Sequence, residues 1–283
     1  MIKKSVPFFS LLTLISLLFF LVIITNCQDK TSLDLNPRYV ITSPELAELV
    51  SALAGLEHIV GVTVECDYPE QLRSLPKVGT FGKIDIEKVI SLNPTLVFIA
   101  GLEQEEIAYQ LHKIGIPLVS FYPRSISNLL TTIEDIGVVL KVEDKAKTLA
   151  DSLKTVIDSY RRDQSAEKPK IYVEIYGNPI MSVSDSSYVG ELVELAGADN
   201  IFSTLAREYS RIKAEDVIKL DPEIILLTYP GVSAEKVKNR MGWEVISACR
   251  NDRIYTVEDI DPDLILRAGP RIAEALKLLQ KIL

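Results

Sequence analysis

The sequence predicts an α/β protein of two Rossmann-like lobes with parallel sheets, joined by one long rigid helix and enclosing a ligand cleft. Three observations lead to this prediction. Apolar runs of strand length alternate with helical segments along most of the chain, which is typical of parallel sheets covered by helices. The segments 84–99 (IDIEKVISLNPTLVFI) and 212–227 (IKAEDVIKLDPEIILL) are nearly the same sequence, 128 residues apart. Between them, residues 138–168 contain neither Gly nor Pro.

The repeat extends upstream of both segments. Phe81 precedes Glu87 by six residues, and Tyr209 precedes Glu215 by the same six. A helix, a turn containing Pro and a strand form a common α/β connection, and this simpler explanation stays open. It does not explain the preserved distance from aromatic ring to glutamate, so we expect two equivalent lobes.

The first lobe should alternate strands and helices. Its expected strands are 39–42, 59–64, 96–100 and 117–121, and its expected helices are 44–54, 86–92, 105–114 and 126–140. The second lobe should contain strands at 170–175, 224–228 and 253–257 and helices at 188–195, 214–220 and 271–283. Most strands are short apolar runs without strict polar alternation, as expected when helices cover both faces of a sheet.

The linker should be one amphipathic helix. Apolar residues recur at three- and four-residue spacing within 138–168, and charged residues occupy the other face. We therefore divide the chain into a signal peptide (1–26), a tether (27–37), an N-terminal lobe (38–140), a linker helix (141–166) and a C-terminal lobe (167–283).

The N-terminus has the pattern of an export signal. Lys3 and Lys4 precede an apolar run at 6–24, and Cys27 follows closely. Residues 24–27 (ITNC) resemble a bacterial lipobox, in which the Cys is lipid-modified and becomes the new N-terminus. An uncleaved membrane anchor is the alternative, because the run is about long enough to span a bilayer. Either way, we expect a protein of the bacterial cell envelope, facing the periplasm or the exterior, and lipid-anchored if Cys27 is modified.

Charge and cysteine content exclude several classes of function. The formal net charge is −8 and becomes more negative when Lys3 and Lys4 are removed, which disfavours nucleic acid as a partner. Cys66 and Cys249 fall in different lobes, where a disulfide would lock any hinge, so we expect free thiols. The two histidines are too few and too isolated for a metal site. We expect no metal and no cofactor.

The expected loops at the carboxyl ends of the strands contain aromatic residues but no catalytic set. There is no Gly-x-Ser-x-Gly elbow and no HExxH, so we predict that the protein is not an enzyme. Flat rings with a few polar neighbours suit a bulky planar ligand, although ordinary packing remains the alternative for any single ring. The aromatic loop residues are Tyr68, Phe81, Tyr122, Tyr176, Tyr209, Tyr229 and Trp243.

The chain after the signal peptide resembles the helical-linker class of periplasmic solute-binding proteins. These proteins serve ABC importers for cobalamin, ferric siderophores and haem, and the resemblance is greatest to the cobalamin branch. The segments that carry it are CDYPEQLRSLPKVGTFGKIDIEKVISLNPTLV, KIYVEIYGNPIMSVS, ELVELAGADNIF, IKAEDVIKLDPEIIL, GWEVISACRNDRIYTV and LRAGPRIAEAL. The resemblance implies ligand contacts from Tyr68, Phe81, Tyr176, Tyr209, Asp263 and Arg267, and we add Trp243 from the aromatic loops.

The resemblance also implies a function and partners. A monomeric lipoprotein would capture cobalamin, or another large planar chelate, and deliver it to an ABC permease dimer through Glu87 and Glu215. A ferric siderophore or haem is the alternative ligand. A surface module that captures its ligand without feeding an importer is the alternative function. Phe81 and Tyr209 stand where Trp is frequent in the cobalamin branch, and Ala100 and Gly101 stand where that branch can carry an aromatic residue.

Overall fold

The computed structural model describes residues 36–101, 104–162 and 167–283. The signal peptide, Cys27 and most of the tether lie outside these residues. The first lobe consists of β1 (Tyr39–Ile41), α1 (Pro44–Ala54), β2 (Ile59–Val62), β3 (Gly79–Thr80), β4 (Lys83–Ile84), α2 (Ile86–Ser91), β5 (Leu96–Ala100), α3 (Glu105–Lys113), β6 (Leu118–Phe121) and α4 (Ile126–Leu140). Its four-stranded sheet has the order β2-β1-β5-β6 and is parallel throughout, as expected.

Capping residues fix where the helices of this lobe begin. The Ser43 hydroxyl accepts a hydrogen bond from the backbone N–H of Leu46, and Pro44 occupies the first turn of α1. The Asp85 carboxylate accepts from the N–H of Lys88 at the start of α2. Such side chains satisfy N–H groups that have no partner within the helix. The caps therefore hold the strand-to-helix loops at the carboxyl edge of the sheet.

The second lobe consists of β7 (Lys170–Gly177), β8 (Ile180–Val183), α6 (Tyr188–Ala196), β9 (Asp199–Asn200), β10 (Tyr209–Arg211), α7 (Ala214–Leu220), β11 (Ile224–Leu227), α8 (Ala234–Lys238), α9 (Ser247–Arg250), β12 (Ile254–Tyr255), α10 (Pro262–Leu266) and α11 (Ile272–Ile282). Its six-stranded sheet has the order β10-β8-β7-β11-β12, and β9 pairs with β7. The linker helix α5 (Glu143–Arg162) precedes it.

The expectation of a wholly parallel second sheet is wrong in one respect. β8 runs antiparallel to β7, and β10 runs antiparallel to β8. Asn178 and Pro179 form the turn that returns the chain beside β7, and neither β8 nor β10 was predicted as a strand. Both are short, with four and three residues, and Ser210 and Arg211 give β10 little of the apolar character that marks a buried parallel strand.

The linker differs from the predicted single helix. Residues 138–140 complete α4, and Lys141 adopts a left-handed conformation (φ 59°) that ends this helix. The N–H of Val142 then donates to the carbonyl of Gly137, as in a helix C-terminal cap. The linker helix proper begins at Glu143 and packs against α4. Periodicity missed the break because a left-handed Lys leaves no gap in the apolar pattern.

The sequence repeat has the equivalent structure in each lobe. The first copy forms α2 followed by β5, and the second forms α7 followed by β11. The residues before the two prolines, Asn93 and Asp221, both have positive φ, at 48° and 45°. Matching left-handed turns at matching positions confirm that the two segments form the same helix-turn-strand unit.

One hydrophobic core continues through both lobes. It contains Leu49 of α1, Ile133 of α4 and Ile157 of α5 together with Val189 of α6 and Leu276 of α11, all buried. Helices of both lobes therefore share one apolar layer, and residues 37–283 form one compact unit. Smaller clusters fill the outer part of each lobe.

Candidate ligand-binding cleft

Two of the predicted rings follow β2 in the first lobe. Tyr68 is 44% exposed, and the Arg271 guanidinium of the second lobe lies 4.0 Å from the centre of its ring. Phe81 occupies the turn of the β3–β4 hairpin and is half-buried. The N–H of Phe81 donates to the Glu65 carboxylate at 3.0 Å, so the hairpin turn is fixed to the loop after β2.

Gln104 holds this set of loops together, and sequence reasoning missed it. Its side chain is 1% exposed and donates to the backbone carbonyls of Thr42 and Phe81, both at 3.1 Å. Its amide oxygen accepts from the N–H of Ala100 at 2.9 Å. One buried amide thus ties the ends of β1 and β5 to the hairpin of Phe81. A single Gln in an acidic segment gives no pattern that would reveal this role.

Asp263 and Arg267 belong to a buried ion cluster between the lobes. The Arg267 side chain is 9% exposed and donates to Glu48 (3.1 Å) and Asp67 (2.9 Å) of the first lobe and to Asp263 (2.7 Å) of its own. Arg271, 10% exposed, also pairs with Glu48. Burial raises the pKa of Asp263, although Arg267 acts in the opposite direction. Arg267 is thus already surrounded by carboxylates and has little capacity for a ligand.

A second polar network lies under Tyr176 in the C-terminal lobe. Tyr176 is 51% exposed at the end of β7, and its ring centre is 6.2 Å from that of Tyr229. The Tyr229 hydroxyl donates to Glu174, a fully buried carboxylate that also accepts from Arg240 at 2.6 and 2.7 Å. Burial, followed by the Glu174 contact, raises the pKa of Tyr229 to about 12. This network holds the Tyr229 ring in place, and the Tyr176 ring lies beside it.

Glu174 could have been noticed in the sequence. It is the one charged residue within YVEIY, a run that otherwise reads as a buried strand. A carboxylate at such a position requires a partner, because an unpaired buried charge is very costly. The sequence does not say that Arg240, 66 residues away, supplies it.

Trp243 does not line the cleft, which corrects the prediction. Its side chain is fully buried in the outer core of the second lobe, with its ring centre 6.1 Å from that of Tyr172. The guanidinium of Arg240 covers the ring at 4.6 Å. Trp243 lies in a short 3₁₀ helix that packs inward, and the lone Trp of the chain is a core residue.

The remaining predicted ring, Tyr209, is half-buried on β10 and packs against the continuous core. The structure therefore joins Tyr68, Asp263 and Arg267 through the ion cluster. Phe81, Tyr176 and Tyr209 lie on the β3–β4 turn, the end of β7 and β10, respectively.

Glu87 and Glu215 occupy equivalent positions. Each is exposed and lies in the first turn of its helix, α2 or α7. Asp85 caps α2 with its side chain, whereas Lys213 at the start of α7 makes no such bond. Neither glutamate forms an ion pair with another residue of the described part of the chain, so both carboxylates face solvent.

Comparison with protein families identifies the fold. The family described as periplasmic binding protein matches residues 40–260, which covers most of the chain and both sheets. The chain belongs to this family. Its members bind solutes for transport and are not enzymes, and the protein is a substrate-binding protein of an ABC importer.

Several individual proteins of known name or known structure are similar to this chain. An uncharacterised ABC transporter substrate-binding lipoprotein of Bacillus subtilis, YvrC, is 30% identical over 88% of this chain and 81% of its own. A vitamin B12-binding protein of Vibrio parahaemolyticus is 23% identical over 84% and 86%. The periplasmic haem-binding protein RhuT of Roseiflexus, in apo form, has the same fold, with a TM-score of 0.78 at 23% identity over 87% of this chain and 99% of that one.

Membership of the periplasmic binding proteins supports a location in the cell envelope. No helix among residues 36–101, 104–162 and 167–283 has the length and apolar character needed to cross a bilayer. Cys66 and Cys249 are free, as predicted, and both are buried. The same part of the chain contains no group of three or more His, Cys, Asp or Glu side chains arranged to hold a metal ion.

Proposed function

We propose that this protein captures cobalamin between its lobes and delivers it to an ABC permease. The observation that carries the proposal is the pair of exposed tyrosine rings, Tyr68 in the loop after β2 of the first lobe and Tyr176 near the end of β7 in the second. Broad rings held on rigid supports suit a large flat ligand, because they contribute area without much loss of side-chain freedom. Phe81 and Tyr209 add the further aromatic contacts of the proposed site.

The charges at the base of the cleft favour cobalamin over haem. Arg267 and Arg271 already face four carboxylates: those of Glu48, Asp67, Asp261 and Asp263. Neither guanidinium is available for the carboxylates of haem. The periphery of a corrin ring carries uncharged amides, which can donate hydrogen bonds to Asp67 and Asp263, both partly exposed. The similarity to a vitamin B12-binding protein supports cobalamin as the ligand.

A titration of the purified protein tests the ligand. Cyanocobalamin, haemin and a ferric hydroxamate all absorb visible light, so a complex that survives gel filtration is identified by its spectrum. We expect one cobalamin per chain. If haemin or the ferric hydroxamate binds tightly and cobalamin does not bind, the assignment of cobalamin as the ligand is wrong. Membership of the family would be unaffected.

We further propose that the protein is a monomeric lipoprotein without enzymatic activity or a cofactor, anchored through Cys27. The export pattern of residues 1–26 supports the anchor. Cells grown with a labelled fatty acid should incorporate the label into the wild-type chain but not into Cys27→Ala. Equal labelling of the two chains would exclude Cys27 as the modified residue.

A further inference from the structure

The first copy of the sequence repeat presents an apolar side chain to solvent beside its exposed glutamate. Ile90 lies three residues after Glu87 in α2 and is 48% exposed. Residues three apart in a helix lie on the same face, so the Glu87 carboxylate and the Ile90 side chain are neighbours. This face of α2 therefore offers a negative charge and an apolar group side by side.

The second copy reaches a similar arrangement by a different route. Ile218 of α7 is the repeat equivalent of Ile90, but it is half-buried and packs against the outer core. The backbone of Gly242 lies against it, and a Cβ on Gly242 would be 3.1 Å from Ile218 Cδ1. The residue before Gly242 is Met241, which is 95% exposed. Met241 therefore supplies the apolar surface group that Ile90 supplies in the first lobe.

The turn that carries Met241 is held on both sides. The Arg240 guanidinium donates to the buried Glu174 carboxylate at 2.6 Å, and Trp243 is fully buried. Gly242, with φ 81°, allows the chain to turn between these anchors. A support that is already ordered loses little conformational freedom on binding, and the flexible Met side chain adapts to the shape of a partner.

Single exposed apolar residues are common on protein surfaces and by themselves indicate no partner. Ile90 and Met241 differ from such residues because they accompany equivalent glutamates on two copies of one structural unit. The segment that covers Ile218 also replaces one apolar surface group with another. A matched pair of this kind fits a partner that presents the same surface twice, as a twofold-symmetric dimer does.

We propose that Ile90 and Met241 each contact an apolar pocket on one subunit of the ABC permease dimer, beside the ion pairs of Glu87 and Glu215. The proposal rests on the proposed function and adds a second type of contact to the same docking surface. Salt screens exposed ion pairs but not apolar contacts. The two apolar side chains should therefore preserve docking at ionic strengths that weaken the ion pairs.

Photo-cross-linking from the two positions identifies the partner. Ile90→Cys and Met241→Cys are purified and labelled with benzophenone-4-maleimide, which reaches an exposed thiol before the buried Cys66 and Cys249. Val138→Cys is the control, because Val138 is 61% exposed on α4, a helix that packs against α1, α5 and α6. Each labelled protein is irradiated with membranes of the cells that produce it, and mass spectrometry identifies the linked peptides.

We expect ABC permease peptides from positions 90 and 241 and none from position 138. Links to a second copy of this chain overturn the proposal, as does a permease link from only one of the two positions. Lys88→Cys, at the exposed position next to Glu87, separates the proposal from the proposed function. Permease peptides from position 88 alone overturn the apolar contacts, whereas none from any position also removes docking through these helices.

Competition measures what the two side chains contribute. Unlabelled wild type, Ile90→Ser, Met241→Ser, the double variant and Val138→Ser each compete with labelled Lys88→Cys for the permease. The double variant should need about tenfold more protein than wild type for half-competition, each single docking variant several-fold more, and Val138→Ser the same amount. All three side chains are exposed, so melting temperatures should stay near that of wild type. A double variant that competes as well as wild type overturns the proposal.

Discussion

The carboxylate of Glu48 and the guanidinium of Arg271 form a two-point ion pair between the lobes, although the residues lie 223 positions apart. Arg271 Nε lies 2.8 Å from one carboxylate oxygen, and Nη2 lies 2.6 Å from the other. Burial lowers the pKa of Arg271, but the contact with Glu48 outweighs it, and the net shift is upward. Glu48 also accepts from Arg267 and is 1% exposed. One carboxylate of α1 therefore pairs with two arginines of the second lobe.

Glu48→Ala should destabilise the protein by about 3–5 kcal/mol, because it leaves two buried guanidiniums without their shared partner. Urea unfolding followed by circular dichroism measures the change in the free energy of unfolding. Glu134→Ala is a suitable control, since Glu134 is exposed on α4. A loss no greater than that of the control would mean that the cluster does not hold the lobes together.

Ligand binding should change the angle between the lobes very little. The helices of both lobes share one apolar core, and the Glu48 cluster joins them again, so a wide hinge motion would have to break both. Small-angle scattering with and without cobalamin should give the same radius of gyration within error. A clear decrease on binding would contradict this expectation.

The double variant Phe81→Ala, Tyr209→Ala should weaken cobalamin binding by about 2–4 kcal/mol through lost ring contact. Isothermal titration calorimetry gives the affinity directly. Tyr109→Ala controls for the loss of an exposed ring outside the proposed site. Equal affinities of the double variant and the control would remove Phe81 and Tyr209 from the site.

The double variant Glu87→Ala, Glu215→Ala should keep its ligand affinity and stability but lose transport. Both carboxylates are exposed on equivalent helices, and two contacts with one permease dimer would reinforce each other, since the first makes the second intramolecular. Uptake is measured in cells that depend on this protein for the ligand.

Glu134→Ala, Glu274→Ala is the matched control for transport, because it removes two exposed helical carboxylates elsewhere on the surface. Each docking glutamate could instead serve only its own helix, where a carboxylate near the N-terminus contributes roughly 0.3–1 kcal/mol. Normal uptake by the docking variant would favour that role and a surface-capture function.

The buried thiol of Cys66 should make stability fall at high pH. Burial raises its pKa from 9.0 to about 11, so the native thiol stays protonated where the unfolded one ionises. The unfolded state then loses protons first, and the free energy of unfolding declines as pH rises from 9 toward 11. Cys66→Ala should decline less steeply in the same denaturant series. Identical slopes would contradict a shifted pKa, as would rapid labelling of native Cys66 by a thiol reagent at pH 8.

The sequence predicted the first lobe well because its signals are local. Apolar runs, capping residues such as Ser43 and Asp85, and the Asn93 turn mark each element within a few residues. The repeat then predicted the equivalent unit in the second lobe. The strands that were missed, β3, β4, β8, β9 and β10, have only two to four residues each, and the left-handed Lys141 that ends α4 leaves no gap in the apolar pattern.

The candidate site was predictable to a smaller extent. Tyr68 and Tyr176 are exposed, as expected, although Tyr176 lies near the end of β7 and not in the loop where it was predicted. Trp243 was misplaced because a loop position in sequence does not tell whether a ring turns inward. Glu48 and Gln104 escaped notice, since their value comes from partners brought near by the fold. When the partners of a side-chain network are far apart in the sequence, no local sequence pattern reveals them.

The continuous core also has a consequence for evolution. Tyr68 and Phe81 lie on a loop and a hairpin turn and are not part of that core, so they can be exchanged without disturbing the helices that hold the lobes together. Selection for a new solute can then act on a few loop positions while the scaffold is retained. A retained scaffold with exchangeable loop positions should give proteins of similar fold and low sequence identity. The haem-binding protein RhuT, with a TM-score of 0.78 at 23% identity, is such a case.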